Sequence, residues 1–170
     1  MVSVRPFAAD EWSAYRALRL SALAESPDAF GSTFAGESAR PEGEWASRLA
    51  TGVASGWDLP LVAEQDGRPI GLAWCRIEAA SPAVASLHQV WVAPDSRRLG
   101  AGQMLVEAAI AWAITKQAHS LELDVTCGDS PARRLYTRLG FEPVGQPEPI
   151  RPGSGLLEQK MRLGLEPIRE

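Results

Sequence analysis

The stretch "VWVAPDSRRLGAGQMLVEAA" (90–109) places a β-branched and aromatic run ahead of two arginines, two glycines and an apolar-periodic segment. A strand that hands over to a helix in this way builds an anion site. The first N–H groups of a helix have no intrahelical partners and carry partial positive charge. Gly100 and Gly102 remove side chains that would keep a bulky anion away from those groups, and glycine permits the positive φ of a curled nest of amides. Arg97 and Arg98 add charge at the mouth. The expected guest is a phosphate or pyrophosphate. Two better-known phosphate loops are excluded: Gln103 stands where a P-loop needs lysine, and Leu105 where a dinucleotide fingerprint needs its third glycine. What remains is R-x-x-G-x-G at Arg97, Gly100 and Gly102, between a strand and a helix.

Outward from this stretch, the chain of 170 residues suits one domain with a real core. Its 21 acidic and 17 basic side chains give a net charge of −4, so no global charge draws it to nucleic acid or to an anionic membrane. The start, "MVSVRPFAADEW", lacks the apolar core of a secretory signal, and no apolar run approaches a membrane span. The expectation is a soluble, intracellular, cytoplasmic protein. Cys75 and Cys127 lie far apart and suggest neither a disulfide framework nor a metal site; they read as small buried hydrophobes. Neither histidine nor cysteine has ligand spacing, so no metal is implied.

The pattern along the chain is that of a single mixed α and β domain. Residues 2–7 alternate as a strand, and Asp10 offers an N-cap to a helix with Trp12, Tyr15, Leu18 and Ala22 at helical spacing, ending near Ser26. "PEGEWASRLATG" (41–52) predicts a shorter helix that stops at Gly52. Two strand-like runs flank Asp66–Gly67, a hairpin-turn dipeptide. A strand from about Val84 to Val92 follows. Leu105, Ala108, Ala109 and Trp112 mark one face of a helix running to about Gln117. "SLELDV" (120–125) alternates as a strand, and "SPARRLYTRLG" (130–140) is a short helix with Ser130 as cap, Pro131 at its first position and Gly140 past its end. The Pro- and Gly-rich residues 143–155 read as a loop, and 156–163 as a closing strand.

With these elements in place, the chain resembles the GNAT superfamily of acyl-CoA-dependent N-acyltransferases. "LHQVWVAPDSRRLGAGQMLVEAAIAWA" (87–113) is similar to that family's cofactor-binding motif and "DSPARRLYTRLGFEPVG" (129–145) to its second hallmark, in the same order. The resemblance implies one α+β domain over 1–170, with a mixed, mostly antiparallel central sheet flanked by helices. It implies acetyl-CoA as co-substrate. Val90 and Val92, with Trp91 between them, would lend main-chain groups to the pantetheine arm, with the Val90 amide a candidate oxyanion donor. The pyrophosphate would rest on the amides of Arg98, Leu99, Gly100, Ala101, Gly102 and Gln103, beside Arg97. The strand at 120–125 would splay from the strand before the loop, leaving a gap for the thioester.

Tyr136 occupies the family's general-acid position, where a phenol of pKa about 10 can protonate a leaving thiolate whose acid has a pKa of about 8.5. Three positions depart from the family pattern. Asp129 replaces the usual asparagine and either meets the cofactor or caps the helix; Arg98 stands where glycine is common; Ser86 stands where some members carry a basic glutamate. His88, two residues beyond Ser86 on the same strand face, is the candidate base, directly or through water. Glu78, Glu122 and Asp124 are further candidates, and His119 faces solvent or caps a helix end. Trp45 and Trp57 read as packing before acceptor wall, and Glu37, Glu42 and Glu44 attract a cationic amine or merely start a helix. The implied reaction is direct attack of a primary amine, on a small molecule or peptide, in a ternary complex. An acyl-CoA-binding module without turnover, or a transferase acting on a partner protein's N-terminus or lysine, stands beside it. A homodimer is the expected assembly.

Overall fold

The computed structural model describes residues 1–166. Strand β1 (Val2–Pro6) leads to α1 (Trp12–Glu25), the short α2 (Phe34–Ser38) and α3 (Glu42–Ser55). The hairpin β2 (Asp58–Gln65) and β3 (Arg68–Ile77) is followed by β4 (Val84–Val92), α4 (Ala101–Thr115), β5 (Ser120–Thr126), α5 (Pro131–Arg138), β6 (Glu142–Pro149) and β7 (Leu157–Gly164). The strands form one sheet in the order β1-β2-β3-β4-β5-β7-β6. Among the described residues only β4 and β5 pair in parallel; every other neighbouring pair is antiparallel. The expected mixed, mostly antiparallel sheet flanked by helices is thus present.

Two apolar layers cover the sheet. On one face Leu105, Val106, Ala109 and Ala113 of α4 and Tyr136 of α5 pack with Ala85, Leu87, Leu121 and Leu123. On the other, Tyr15, Leu18 and Ala22 of α1 meet Trp45 and Leu49 of α3 over Val62, Leu72 and Trp74. The α4 stripe is rotated slightly from the one the spacing predicts, since Val106 and Ala113 are buried while Trp112 and Ala108 are only half-buried. Asp66 and Gly67 both have positive φ, +52° and +81°, the geometry that closes a two-residue hairpin with the twist of its strands. α5 keeps the read boundaries: Ser130 Oγ accepts from the Arg133 N–H at 3.1 Å, and Gly140 lies beyond the end at φ +99°.

Four expectations need correction. Asp10 does not cap α1; Glu11 precedes Trp12, and its carboxylate accepts from the Ala8 N–H at 2.7 Å while pairing with Arg5. The 143–155 segment is not all loop, because β6 pairs with β7 over 142–144 and 148–149. Pro143, Pro147 and Pro149 are tolerated there because β6 is the sheet's edge, where an absent donor breaks no second ladder. Cys127 is exposed, unlike Cys75, whose thiol burial pushes up to about 12. Finally, Gly52 does not end α3, which continues to Ser55 with Gly56 in the left-handed terminal position.

Gly52 has a different task. A Cβ at this position would lie 2.5 Å from Cζ2 of Trp74, and that ring is fixed by an Nε1–H donated to Asp58 at 2.8 Å. The glycine lets α3 seat on the sheet. Gly52→Ala therefore destabilises the fold by about 1–3 kcal/mol through overpacking, despite the better helix propensity of alanine. Urea unfolding measures this; an unchanged or raised midpoint contradicts it.

Candidate active site

The site begins where two strands part. β4 and β5 are in register only from Val84–Ser86 against Ser120–Glu122. Past that point β5 continues on β7 as far as Thr126, and β4 continues on β3 as far as Val92. A cleft of about 1490 Å³ opens between them.

Within β4 a bulge redirects the side chains. Trp74 faces His88 and Leu72 faces Trp91, so one residue of β3 is opposed by both Gln89 and Val90. Gln89 carries φ +61°, and its Oε1 accepts from the Tyr15 hydroxyl at 2.7 Å. Ahead of the bulge, Ala85 and Leu87 point to the α4 layer; after it, Val90 and Val92 do, and Trp91 joins the α1 layer. Ser86 and His88 both precede the bulge and share a face, as expected from their spacing.

The glycine stretch follows β4. Gly100 has φ +83° and stands immediately before α4, with open space where a Cβ would project. The helical ladder begins with the Met104 N–H donating to Gly100 O at 3.0 Å, so the amides of Ala101, Gly102 and Gln103 precede it. Gly102 is helical, and its missing side chain leaves room beside Leu135 and Val92. The two arginines differ. Arg97 donates to Val92 O and to Glu25 Oε2, each at 3.0 Å. The same Glu25 oxygen accepts from Trp91 Nε1 at 2.9 Å, and hydrogen bonds from Ser26 and Trp91 hold this carboxyl below the usual carboxylate range. Arg97 thus ties the loop to α1, whereas Arg98, at φ +70°, is exposed and lines the cleft.

Tyr136 lines the same cleft from α5, 5 % exposed and edge-on to Phe141 at 5.8 Å. Burial pushes its phenol up to about 12, so it keeps its proton across the neutral range. His88 is open to the cleft, yet desolvation draws its imidazole below the ordinary value. Asp124 opposes that shift, while Arg76, Lys160 and Arg19 add to it. Of the three carboxylates singled out by sequence, Asp124 lines the cleft; Glu78 pairs with Arg76 at 3.3 Å and Glu122 with Arg162 at 3.4 Å. His119 is exposed.

The cleft wall includes His88 through Val92, Arg97, Arg98, Gly100 through Gln103, and Tyr136. Leu99 and Asp129 are not part of it. Leu99 is 46 % exposed. Asp129 is turned to Arg134 at 2.7 Å, and the capping task falls to Ser130. Trp45 is fully buried, and Trp57 lies near Lys116 away from the cleft. Glu37 and Glu44 are engaged with Arg40, Glu37 with Arg48 as well, and Glu42 is exposed on the first turn of α3.

The far wall of the cleft is residues 26–32 with Ile150, inside the segments 26–60 and 143–155 where the sequence leads one to expect the acceptor site. Arg151 ties this wall together, donating to Phe30 O at 3.0 Å and Pro27 O at 3.3 Å. Sequence reading passed over Arg19, a charge within the buried stripe of α1. The signal was present, since Arg19 follows Tyr15 by four residues and precedes Leu23 by four. Among the described residues no group of three metal-ligating side chains comes together, and no helix is long and apolar enough to cross a membrane.

A mixed sheet that parts at its centre around a glycine-rich helix start defines the acyl-CoA transferase type of fold. Residues 22–141 match the model of the acetyltransferase (GNAT) family, and the chain belongs to that family. Among its relatives is a mycothiol acetyltransferase of Pseudarthrobacter chlorophenolicus, 29 % identical over 144 residues that make up 82 % of this chain and 42 % of the relative. The chain thus spans less than half the length of that protein. An L-methionine sulfoximine/L-methionine sulfone acetyltransferase of Pseudomonas aeruginosa is 30 % identical over 86 % of this chain and 89 % of its own length. A putative acetyltransferase of Salmonella typhimurium, solved with acetyl-CoA, shares the fold at a TM-score of 0.80 with 19 % identity, covering 100 % of this chain and 97 % of that one.

Proposed function

We propose that the protein is an N-acetyltransferase moving the acetyl group of acetyl-CoA to a primary amine by direct attack in a ternary complex. The observation that carries this reading is the meeting, in one cleft, of the unpaired stretch of β4, the open glycine turn before α4, and a protonated Tyr136. The relatives named for mycothiol and for methionine sulfoximine or sulfone support a small-molecule acceptor. So does the far wall of residues 26–32, which Arg151 holds in place. A cytoplasmic homodimer of a single catalytic domain belongs to the same proposal.

Acetyl-CoA supplies a thioester and a pyrophosphate. The amides of Arg98 and of Gly100 to Gln103, with the guanidinium of Arg98, hold the pyrophosphate, and the α4 N-terminus adds its partial positive charge. Val90 and Val92 offer main-chain groups to the extended arm, and the Val90 N–H donates to the carbonyl oxygen as charge develops there. His88 takes a proton from the incoming ammonium, the amine forms the C–N bond, and the C–S bond breaks. Tyr136 then gives its proton to the departing sulfur, and the second proton shed by the acylated nitrogen restores the phenol. Burial that raises the phenol also raises a thiol placed beside it, because both lose solvation of the charged form.

Thiol release from acetyl-CoA, measured against a panel of primary amines with a no-amine control, tests the reading. Tyr136→Phe is expected to lower amine-dependent turnover by about 10²-fold or more with acetyl-CoA affinity nearly intact; unchanged turnover contradicts the acid role. His88 acts as a base only when deprotonated, and its imidazole titrates below its ordinary value. Activity should therefore fall as pH drops through a point under about 6.5, and His88→Ala should erase that acid-side limb. A pH–rate profile with the limb intact in His88→Ala removes the histidine from the mechanism.

A further inference from the structure

Arg19 is 5 % exposed, and its Nε and Nη1 are buried without any hydrogen-bond partner. A buried guanidinium in this state is costly, because the three N–H donors of Nε and Nη1 have lost water and found nothing in return. The carboxylate that acts on it through space is Glu37, whose Oε2 is already committed to Arg40 and Arg48, both at 3.1 Å. Arg48 itself is a like charge on Arg19, so the local balance favours an added anion. The group nevertheless lines the cleft, with the Phe30 ring 4.8 Å from its Cζ. That ring covers the guanidinium and restricts its orientation.

Resting on the acetyltransferase reading, we propose that Arg19 receives a carboxylate of the acceptor, and that the acceptor class is therefore a free amino acid or close analogue. The amine and the carboxylate of such a molecule then divide between two walls of one cleft: the amine toward His88 on β4, the carboxylate toward Arg19 on α1. His88 and Arg19 are close enough for the arginine's charge to act on the imidazole. A bidentate guanidinium–carboxylate pair discriminates by geometry as well as charge, so an amide or a decarboxylated amine leaves the arginine as unpaired as it is in the free protein.

The test compares matched acceptors, each L-amino acid against its amide and its decarboxylated amine, with wild-type protein and with Arg19→Met. Wild type is expected to favour the acid by about 30-fold or more in kcat/KM, carried mainly by KM, and Arg19→Met to lose that preference. Arg19→Met should also raise the Tm of the acceptor-free protein, since it removes a buried charge without a partner and keeps an apolar stem of similar length; a structural arginine would lower it. Equal use of acid and amide by wild type overturns the proposal without recourse to any variant. So does a preference that survives in Arg19→Met, or a lowered Tm. If no amine releases thiol, the transferase reading fails, and calorimetric titration of the same pairs into the CoA-saturated protein decides the arginine alone. Carboxylate binding lost in Arg19→Met sustains the anchor; binding indifferent to the carboxylate overturns it.

Discussion

Everything in the site depends on β4 and β5 parting after three paired residues. In the middle of a sheet, main-chain N–H and C=O groups normally face a neighbour, and buried groups without partners are costly. Here the neighbour is withdrawn and the space left as a cleft, so β4 keeps one paired edge on β3 and offers the other to a guest. The bulge at Gln89 completes the arrangement. It turns Val90 and Val92 toward the α4 layer while leaving His88 ahead of the reversal, on the α1 side. One strand thereby serves two walls.

The charges around this cleft are divided between structure and ligand. Arg97 is absorbed by Glu25 and Val92 O, fixing the turn between β4 and α4 against the end of α1. Arg98 is left to the cleft, beside a helix start whose polarity already favours an anion. On α1 the division is reversed: Glu37 satisfies Arg40 and Arg48 and leaves Arg19 without a partner. Arg98 and Arg19 thus stand at separate walls of the cleft, with Tyr136 and His88 lining it as well. A cofactor rich in phosphate and an acceptor that carries a carboxylate would fit that division.

Much of this was legible because local chemistry dictates it. Ser130, Pro131 and Gly140 fix α5 by a cap, a preset φ and a left-handed exit, so Tyr136 could be placed on a helix directly after a loop. Asp66–Gly67 likewise sets its own hairpin. Features decided by distant partners were not legible. Gly52 looks like a helix end until Trp74 is seen against it, and the prolines of β6 look like a loop until that strand is found at the sheet's edge. The bulge at Gln89 has no glycine to announce it; its positive φ accompanies a hydrogen bond to Tyr15, 74 residues away. Asp129 was read beside the cofactor or at the cap because of its neighbours, whereas Arg134 turns it aside.

We propose that the divergent face of β4 and the start of α4 together form the cofactor cradle. Following the backbone amide resonances of the whole protein while CoA is titrated in tests it most directly. The largest changes are expected at residues 87–92 and 98–103, with the β1–β2 edge of the sheet nearly unmoved. Saturable binding that leaves both of those stretches unchanged would contradict it.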